Sequence, residues 1–139
     1  MPVVVVANPK GGVGKSTLST NVAGYYASQG HPVILGDVDP QKSAHLWLSL
    51  RPATVAPIGR WDTDVDALAK PPKGTTHAGL DTPAGLHGSA LKDVLKMADK
   101  VIVPLQPSIF DIYATQAFLD KLREHRHAAG VQVGIVGMR

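Results

Sequence analysis

Two kinds of hydrophobic pattern take turns along this chain. Val3 to Ala7 is an unbroken apolar run halted by Asn8 and Pro9, which predicts a strand buried on both faces. Ser16 to Gln29 then places Leu18, Val22, Ala23 and Tyr26 on one helical face and is followed by Gly30 and Pro32, the order in which helices end. Val33 to Val38 predicts a second strand and Ser43 to Leu50 a short helix. Pro52, Pro57, Pro71 and Pro72 break the next stretch. Within it Asp62 to Lys70 has room for a helical turn or two, and the segment reads as a surface excursion rather than a domain boundary. His77 to Asp81 is weakly apolar, yet its place before a Pro and Gly turn predicts a strand. Ser89 to Ala98 predicts a helix with Leu91, Val94 and Leu95 inward, and Val101 to Leu105 a buried strand. Asp111 to Ala129 predicts a long amphipathic helix carrying Ile112, Phe118, Leu119 and Leu122, and Val131 to Val136 the last strand.

The repeated unit is a strand followed by a helix. That alternation predicts an α/β fold of three layers, a mostly parallel sheet with helices on both faces joined by right-handed crossovers. There is neither an internal repeat nor a low-complexity tract. A length of 139 residues predicts a single domain over 1–139. With 44% hydrophobic and 18% charged residues, the chain has the apolar material for a packed interior. A net charge of +3 permits a polyanionic partner without requiring one. The absence of cysteine excludes disulfides, thiolate zinc sites, cysteine nucleophiles and cysteine-ligated iron–sulfur clusters, and fits a reducing compartment. No apolar run approaches the roughly 20 residues needed to span a bilayer, and MPVVVVANPKGG lacks a basic region followed by a cleavable apolar one. The expected location is the cytoplasm.

The strongest chemistry lies between the first strand and the first helix. Lys10-Gly11-Gly12-Val13-Gly14-Lys15-Ser16-Thr17 is a variant of the phosphate-binding P-loop, with Pro9 where the strict pattern needs glycine. Its glycines allow positive φ and a close backbone approach, so successive N–H groups can line a nest at the positive end of a helix. Lys15 is then placed to reach the β and γ phosphates, and the Ser16 hydroxyl to ligate Mg²⁺. The competing reading is a glycine-rich turn that happens to precede a helix. With strand, loop and helix in this order, the expected fold is P-loop NTPase-like.

Three further segments extend the pattern: Asp37-Val38-Asp39-Pro40-Gln41, Asp81-Thr82-Pro83-Ala84-Gly85 and Val103-Pro104-Leu105-Gln106-Pro107-Ser108. Together with KGGVGKST they resemble the ParA/MinD family of deviant Walker A ATPases, most closely the small ParA-like partition and positioning proteins. The resemblance runs through essentially the whole chain in the right order. It implies that Lys10 crosses an ATP-sandwiched homodimer to contact the other subunit's phosphates, where the alternative is a solvated loop lysine. It implies that Asp39 positions the attacking water and that Asp37 supports the Mg²⁺ shell, the alternative being a strand-end turn capped by Asp. Asp81 then resembles a Walker B carboxylate holding a Mg²⁺-bound water, and Pro83 and Gly85 a switch that senses the γ-phosphate. Gln106 and Pro107 are expected at the nucleotide edge, and Pro104 to Ser108 with Asp111 near the dimer face; a proline after a strand is also ordinary punctuation. Gly36 departs from the family, which usually has a larger apolar residue there, and is expected to loosen its strand.

The resemblance implies a Mg-ATP-dependent dimerising switch that binds DNA without sequence preference. A ParB-like or cargo-adaptor protein would stimulate its slow hydrolysis, for plasmid or chromosome partition or cargo positioning on the nucleoid. A metabolic P-loop enzyme acting on a small substrate is the alternative from another class, although no substrate pocket is recognisable. A MinD-like membrane switch would need a terminal amphipathic helix, and Val131 to Arg139 reads as a strand. Family relatives continue past this strand with further helices, so the chain is expected to lack them and to bind ATP weakly and DNA poorly if they are needed. Arg123-Glu124-His125-Arg126-His127 reads as the solvated end of a helix rather than a metal or DNA patch, and Trp47 and Trp61 as packing residues.

Overall fold

A computed structural model of the chain describes residues 2–64, 67–125 and 130–138. The strands are β1 (Val3–Val6), β2 (Val33–Asp37), β3 (Gly59–Trp61), β4 (His77–Asp81), β5 (Lys100–Leu105) and β6 (Gln132–Gly137). The helices are α1 (Lys15–Ser28), α2 (Ser43–Leu50), α3 (Gly88–Met97) and α4 (Ile109–Glu124). All strand pairs are parallel, in the order β3-β2-β4-β1-β5-β6.

Alternation along the strands sorts the core into two layers. Val33 and Leu35 face Ala23, Ala27 and Ala44 of α1 and α2. Ile34, Val3, Val5, Ala78 and Leu80 face the other way, where Leu91, Val94 and Leu95 of α3 and Phe118 and Leu122 of α4 close over them. The three-layer architecture is therefore as expected. The weak composition of β4 also has a packing reason: a Cβ on Gly79 would stand 3.3 Å from the Leu35 methyl. A small residue at this central position lets a buried leucine lie across the sheet.

Several expectations are corrected. The sheet-facing side of α1 is Ser19, Thr20, Ala23 and Ala27, while Leu18, Val22 and Tyr26 are only half-buried. Small side chains let the helix approach the sheet closely, and its larger apolar groups pack at the flanks. In α4, Ile112 is 49% exposed and Asp111 and Thr115 face inward instead. The helix predicted for 62–70 is not present among the described residues; an isolated antiparallel bridge joins Asp64 and Ala67. The excursion instead contributes β3, whose three residues Gly-Arg-Trp are too few to show a period. α4 extends two residues further back than expected and closes at Glu124, and residues 126–129, including His127, lie outside the described residues.

Gly36 does not loosen β2. Its missing side chain seats the Trp61 indole: a Cβ there would stand 2.9 Å from the Trp61 ring and 3.0 Å from Leu80. Trp61 is 2% exposed, and its Nε1–H donates to the Ala69 carbonyl at 3.2 Å, which ties the excursion back to the sheet. Trp47 packs against the α1 layer with the Arg51 guanidinium 4.9 Å above its ring, so both tryptophans are packing residues.

Candidate functional site: a glycine loop at the carboxyl ends of the strands

The loop between β1 and α1 is held from below by Asn8. Its buried amide donates to the Pro104 carbonyl at 2.7 Å and to the Thr115 hydroxyl at 3.2 Å, while its oxygen accepts the Lys10 N–H at 2.9 Å. One side chain thereby fixes the loop to the end of β5 and to α4. Gly12 and Gly14 take φ of 72° and 102°, the left-handed region that favours glycine, and they turn the loop into the first turn of α1. Val13 is buried between them.

Above this loop lies a cavity of about 650 Å³. Gly11, Gly12, Gly14, Lys15, Ser16 and Thr17 line one side, and Asp39, Pro40, Gln41, Pro83 and Ala84 the other. Lys15 is only 6% exposed and its ammonium donates to the Lys10 carbonyl at 2.8 Å. Burial lowers its pKa below the ordinary lysine value, against the opposing pull of the Asp81 and Asp39 charges.

At the foot of the cavity the Ser16 hydroxyl donates to Asp81 Oδ2 at 2.5 Å. Asp81 is fully buried and its other oxygen, Oδ1, has no hydrogen-bond partner among the described residues. Burial pushes its pKa up to about 6; the neighbouring charges of Asp37 and Asp39 add to that, while the Ser16 hydroxyl and Lys15 oppose it. A hydroxyl beside a buried carboxylate with a free oxygen is a hard-oxygen donor set that suits Mg²⁺ with several retained waters. The residues present therefore fit the divalent cation that the loop implies.

The two aspartates that end β2 part company. Asp37 is fully buried, and its Oδ2 accepts the N–H groups of Ala44 at 2.9 Å and His45 at 3.2 Å, while Oδ1 accepts that of Asp39 at 3.1 Å. It caps α2 from a distance, in place of Lys42, which sits at the N-cap with φ 55° and no capping side-chain bond. Asp39 faces the cavity, its Oδ1 held by the Gln41 N–H at 2.9 Å. Of the pair, only Asp39 lines the cavity, while the Asp37 carboxylate accepts three backbone N–H groups beneath α2.

Lys10 does not line the cavity. Its ammonium lies 2.8 Å from Asp111 Oδ1, a carboxylate 9% exposed in the first turn of α4, while its own side chain is 42% exposed. Gln106 reaches Gly12 O with Nε2 at 3.4 Å, and Pro107 sits exposed in the turn before α4. Gly85 lies past the cavity, behind Pro83 and Ala84. Sequence reasoning passed over Met138, whose N–H donates to Leu105 O at 2.7 Å and whose methyl lies 2.8 Å from where a Gly14 Cβ would be. No local signal marks it, because the contact spans the chain from one end to the other.

Comparison with known proteins agrees with this geometry. The family model for the CobQ/CobB/MinD/ParA nucleotide binding domain matches residues 4–133. The chain is 35% identical over 112 residues to maintenance of carboxysome distribution protein A of Gloeobacter kilaueensis, covering 79% of this chain and 51% of that protein. It is 30% identical over 131 residues to protein ParA of Rhizobium radiobacter, covering 92% and 59%. It thus spans between half and three fifths of the length of these curated relatives. Among solved structures, cobyrinic acid a,c-diamide synthase from Mycobacterium smegmatis with bound ADP and magnesium superposes with a TM-score of 0.80 at 21% identity, covering 99% of this chain and 74% of that one. A putative plasmid partition protein from Borrelia burgdorferi bound to AMPPNP gives 0.75 at 17%, covering 98% and 75%. At these identities the structural likeness speaks for the fold. The chain belongs to the CobQ/CobB/MinD/ParA family.

Proposed function

We propose that this member of the CobQ/CobB/MinD/ParA family is a single-domain, Mg-ATP-dependent dimerising switch. In this reading two chains close over nucleotide, bind DNA without sequence preference and hydrolyse ATP slowly. A ParB-like or cargo-adaptor partner stimulates hydrolysis, and the cycle serves plasmid or chromosome partition or cargo positioning on the nucleoid. Relatives named for chromosome partitioning and for carboxysome distribution support the class of task. The observation that carries the nucleotide chemistry is the Ser16–Asp81 pair, with Ser16 lining the cavity and Asp81 buried behind it, its Oδ1 unpartnered among the described residues.

Each residue then has a task. The N–H groups of Gly11 to Thr17 cradle phosphate oxygens at the helix terminus, where the dipole favours negative charge. Lys15 gives up its bond to the Lys10 carbonyl for a phosphate oxygen, a better acceptor for a desolvated cation. Ser16 and Asp81 hold Mg²⁺, which when bound draws charge off the β and γ oxygens. Asp39, free at the cavity wall, orients the attacking water, and phosphoryl transfer asks for such placement more than for covalent chemistry. Gln106 and Pro107 border the nucleotide at its far edge, and Gly85 follows the γ-phosphate from behind Pro83 and Ala84. Lys10 leaves Asp111 for the partner's phosphates when two chains meet.

Light scattering tests the switch. An Asp39→Ala variant is expected to reach dimer mass with Mg-ATP, to stay monomeric with ADP, and to lose the dimer when Lys10→Ala is added. Monomers under every condition with nucleotide bound would contradict the sandwich and favour an ordinary P-loop enzyme.

A further inference from the structure

A second concavity lies on the other side of the switch segment from the nucleotide cavity. It has a volume of about 320 Å³. Pro9, at the head of the phosphate loop, and Gly85 with His87, past the Asp81 strand end, form one wall. Ala114, Ala117 and Lys121 of α4 form the other. The alanines are three apart and Lys121 follows four later, so they share one helical face, where the two small side chains leave room beside the lysine. Leu86 and Phe118, both buried, make its floor apolar.

Its rim carries one cation, Lys121. Lys121 is exposed and has no ion-pair partner among the described residues. His87 Nδ1 lies 2.6 Å from the Gly85 carbonyl. A carbonyl only accepts, so Nδ1 is the donor of that bond, and the cationic contact offered to a ligand is that of Lys121. No carboxylate lines the furrow among the described residues. An apolar floor with a cationic lip complements a segment that offers one apolar side chain followed by a carboxylate.

The furrow is also built from the parts that answer to phosphate. Pro83 and Ala84 line the nucleotide cavity, and Gly85 to His87 line the furrow, with no residue between them. Gly85 and Gly88 take φ of 75° and 61°, while Leu86 between them is anchored in the core. Backbone torsion at the two glycines can therefore turn His87 about the fixed leucine.

We infer that this furrow is the docking site for an acidic, apolar-anchored segment of a partner protein, read out differently in the two nucleotide states. The docking chemistry stands on the furrow alone; its coupling to nucleotide rests on the switch reading above. The probe is an array of N-acetylated octapeptides, each with one leucine and either two glutamates or two lysines in the following turn, applied to the full chain with ADP and with a non-hydrolysable ATP analogue. Glutamate peptides are expected to bind, to shift the methyl resonances of Ala114 and Ala117, and to weaken roughly tenfold or more in Lys121→Glu. That variant is expected to prefer the lysine peptides instead, an inversion that unfolding cannot produce. Wild-type preference for lysine peptides, or the same preference in both proteins, overturns the docking site. So does a Lys121→Glu variant whose only defect is in binding duplex DNA. Equal binding with ADP and the ATP analogue, preference intact, leaves the docking site standing and counts against the switch.

Discussion

The two ends of the sheet solve different problems. At the carboxyl ends of the strands, Lys15, Asp37 and Asp81 are all nearly or fully buried, and Asp81 keeps an oxygen without a partner among the described residues. At the opposite end the chain buries little charge and stacks rings instead. Tyr26 lies 4.3 Å from the His77 ring and His31 4.1 Å from it, between the end of α1 and the start of β4. Desolvating ionisable groups is unfavourable unless partners satisfy them. The contrast teaches that the cost is concentrated where a charged ligand can offset it.

Replacing Lys15 with Ala is the strongest challenge to that contrast. Nucleotide affinity is expected to fall by about 2–5 kcal/mol, on the scale of losing one partner from a desolvated charge pair. The melting temperature without nucleotide is expected to hold or rise, since a buried cation is removed. Calorimetric titration and thermal melts check the two halves. A large loss of stability would mean that the charge holds the fold together.

Asp37→Ala separates positioning from ligation at the same end. It strips three backbone donors of their acceptor and is expected to destabilise the chain by about 1–3 kcal/mol in urea unfolding. Away from both ends, Gly36→Ala forces a methyl against Trp61 and Leu80 and is expected to lower stability by about 1–3 kcal/mol, with indole fluorescence changed. An unchanged or increased stability would place slack where the geometry shows contact.

The smallest effect belongs to two histidines, His77 at the quiet end and His45 beside Asp37 at the charged end. Burial, the nearby His31 and the amino terminus push the His77 pKa below its ordinary 6.5, and burial, Arg60 and Lys42 do the same to His45, against Asp37 and Asp62. At these two histidines the unfolded chain binds more protons than the folded one below pH 6.5, so their contribution to stability falls as pH drops through that value, while Asp81, raised from 3.8 to about 6, contributes the opposite slope between those two values. His77→Gln is expected to flatten the histidine slope partly, leaving the share due to His45. A slope unchanged by the substitution would remove His77 from the account.

How much of this was legible depended on how far apart the interacting residues lie. α2 and β4 fall where the pattern places them, and most other elements begin and end within a residue or two of it, because periodicity and breakers are local. The phosphate loop was legible for the same reason. β3 was not, since its place comes from pairing with β2. The inward face of α1 was misread because close helix–sheet approach favours Ser19 and Ala23 over larger apolar neighbours. The resemblance assigns Asp37 to the Mg²⁺ shell with a cap as the alternative, and the seating of α2 on its carboxylate is visible only in the fold. The ion pair of Lys10 with Asp111 and the contact of Met138 with Gly14 join residues that only the folded sheet brings together.

The claim that the charged end is built for a metal-bound nucleotide is tested most directly by the magnesium dependence of ATP binding in the wild type and in Ser16→Ala. Calorimetric titration is expected to show ATP bound more tightly with Mg²⁺ than without it in the wild type, and equally with and without it in Ser16→Ala. The same magnesium dependence in both proteins would contradict the assignment of the Ser16–Asp81 pair.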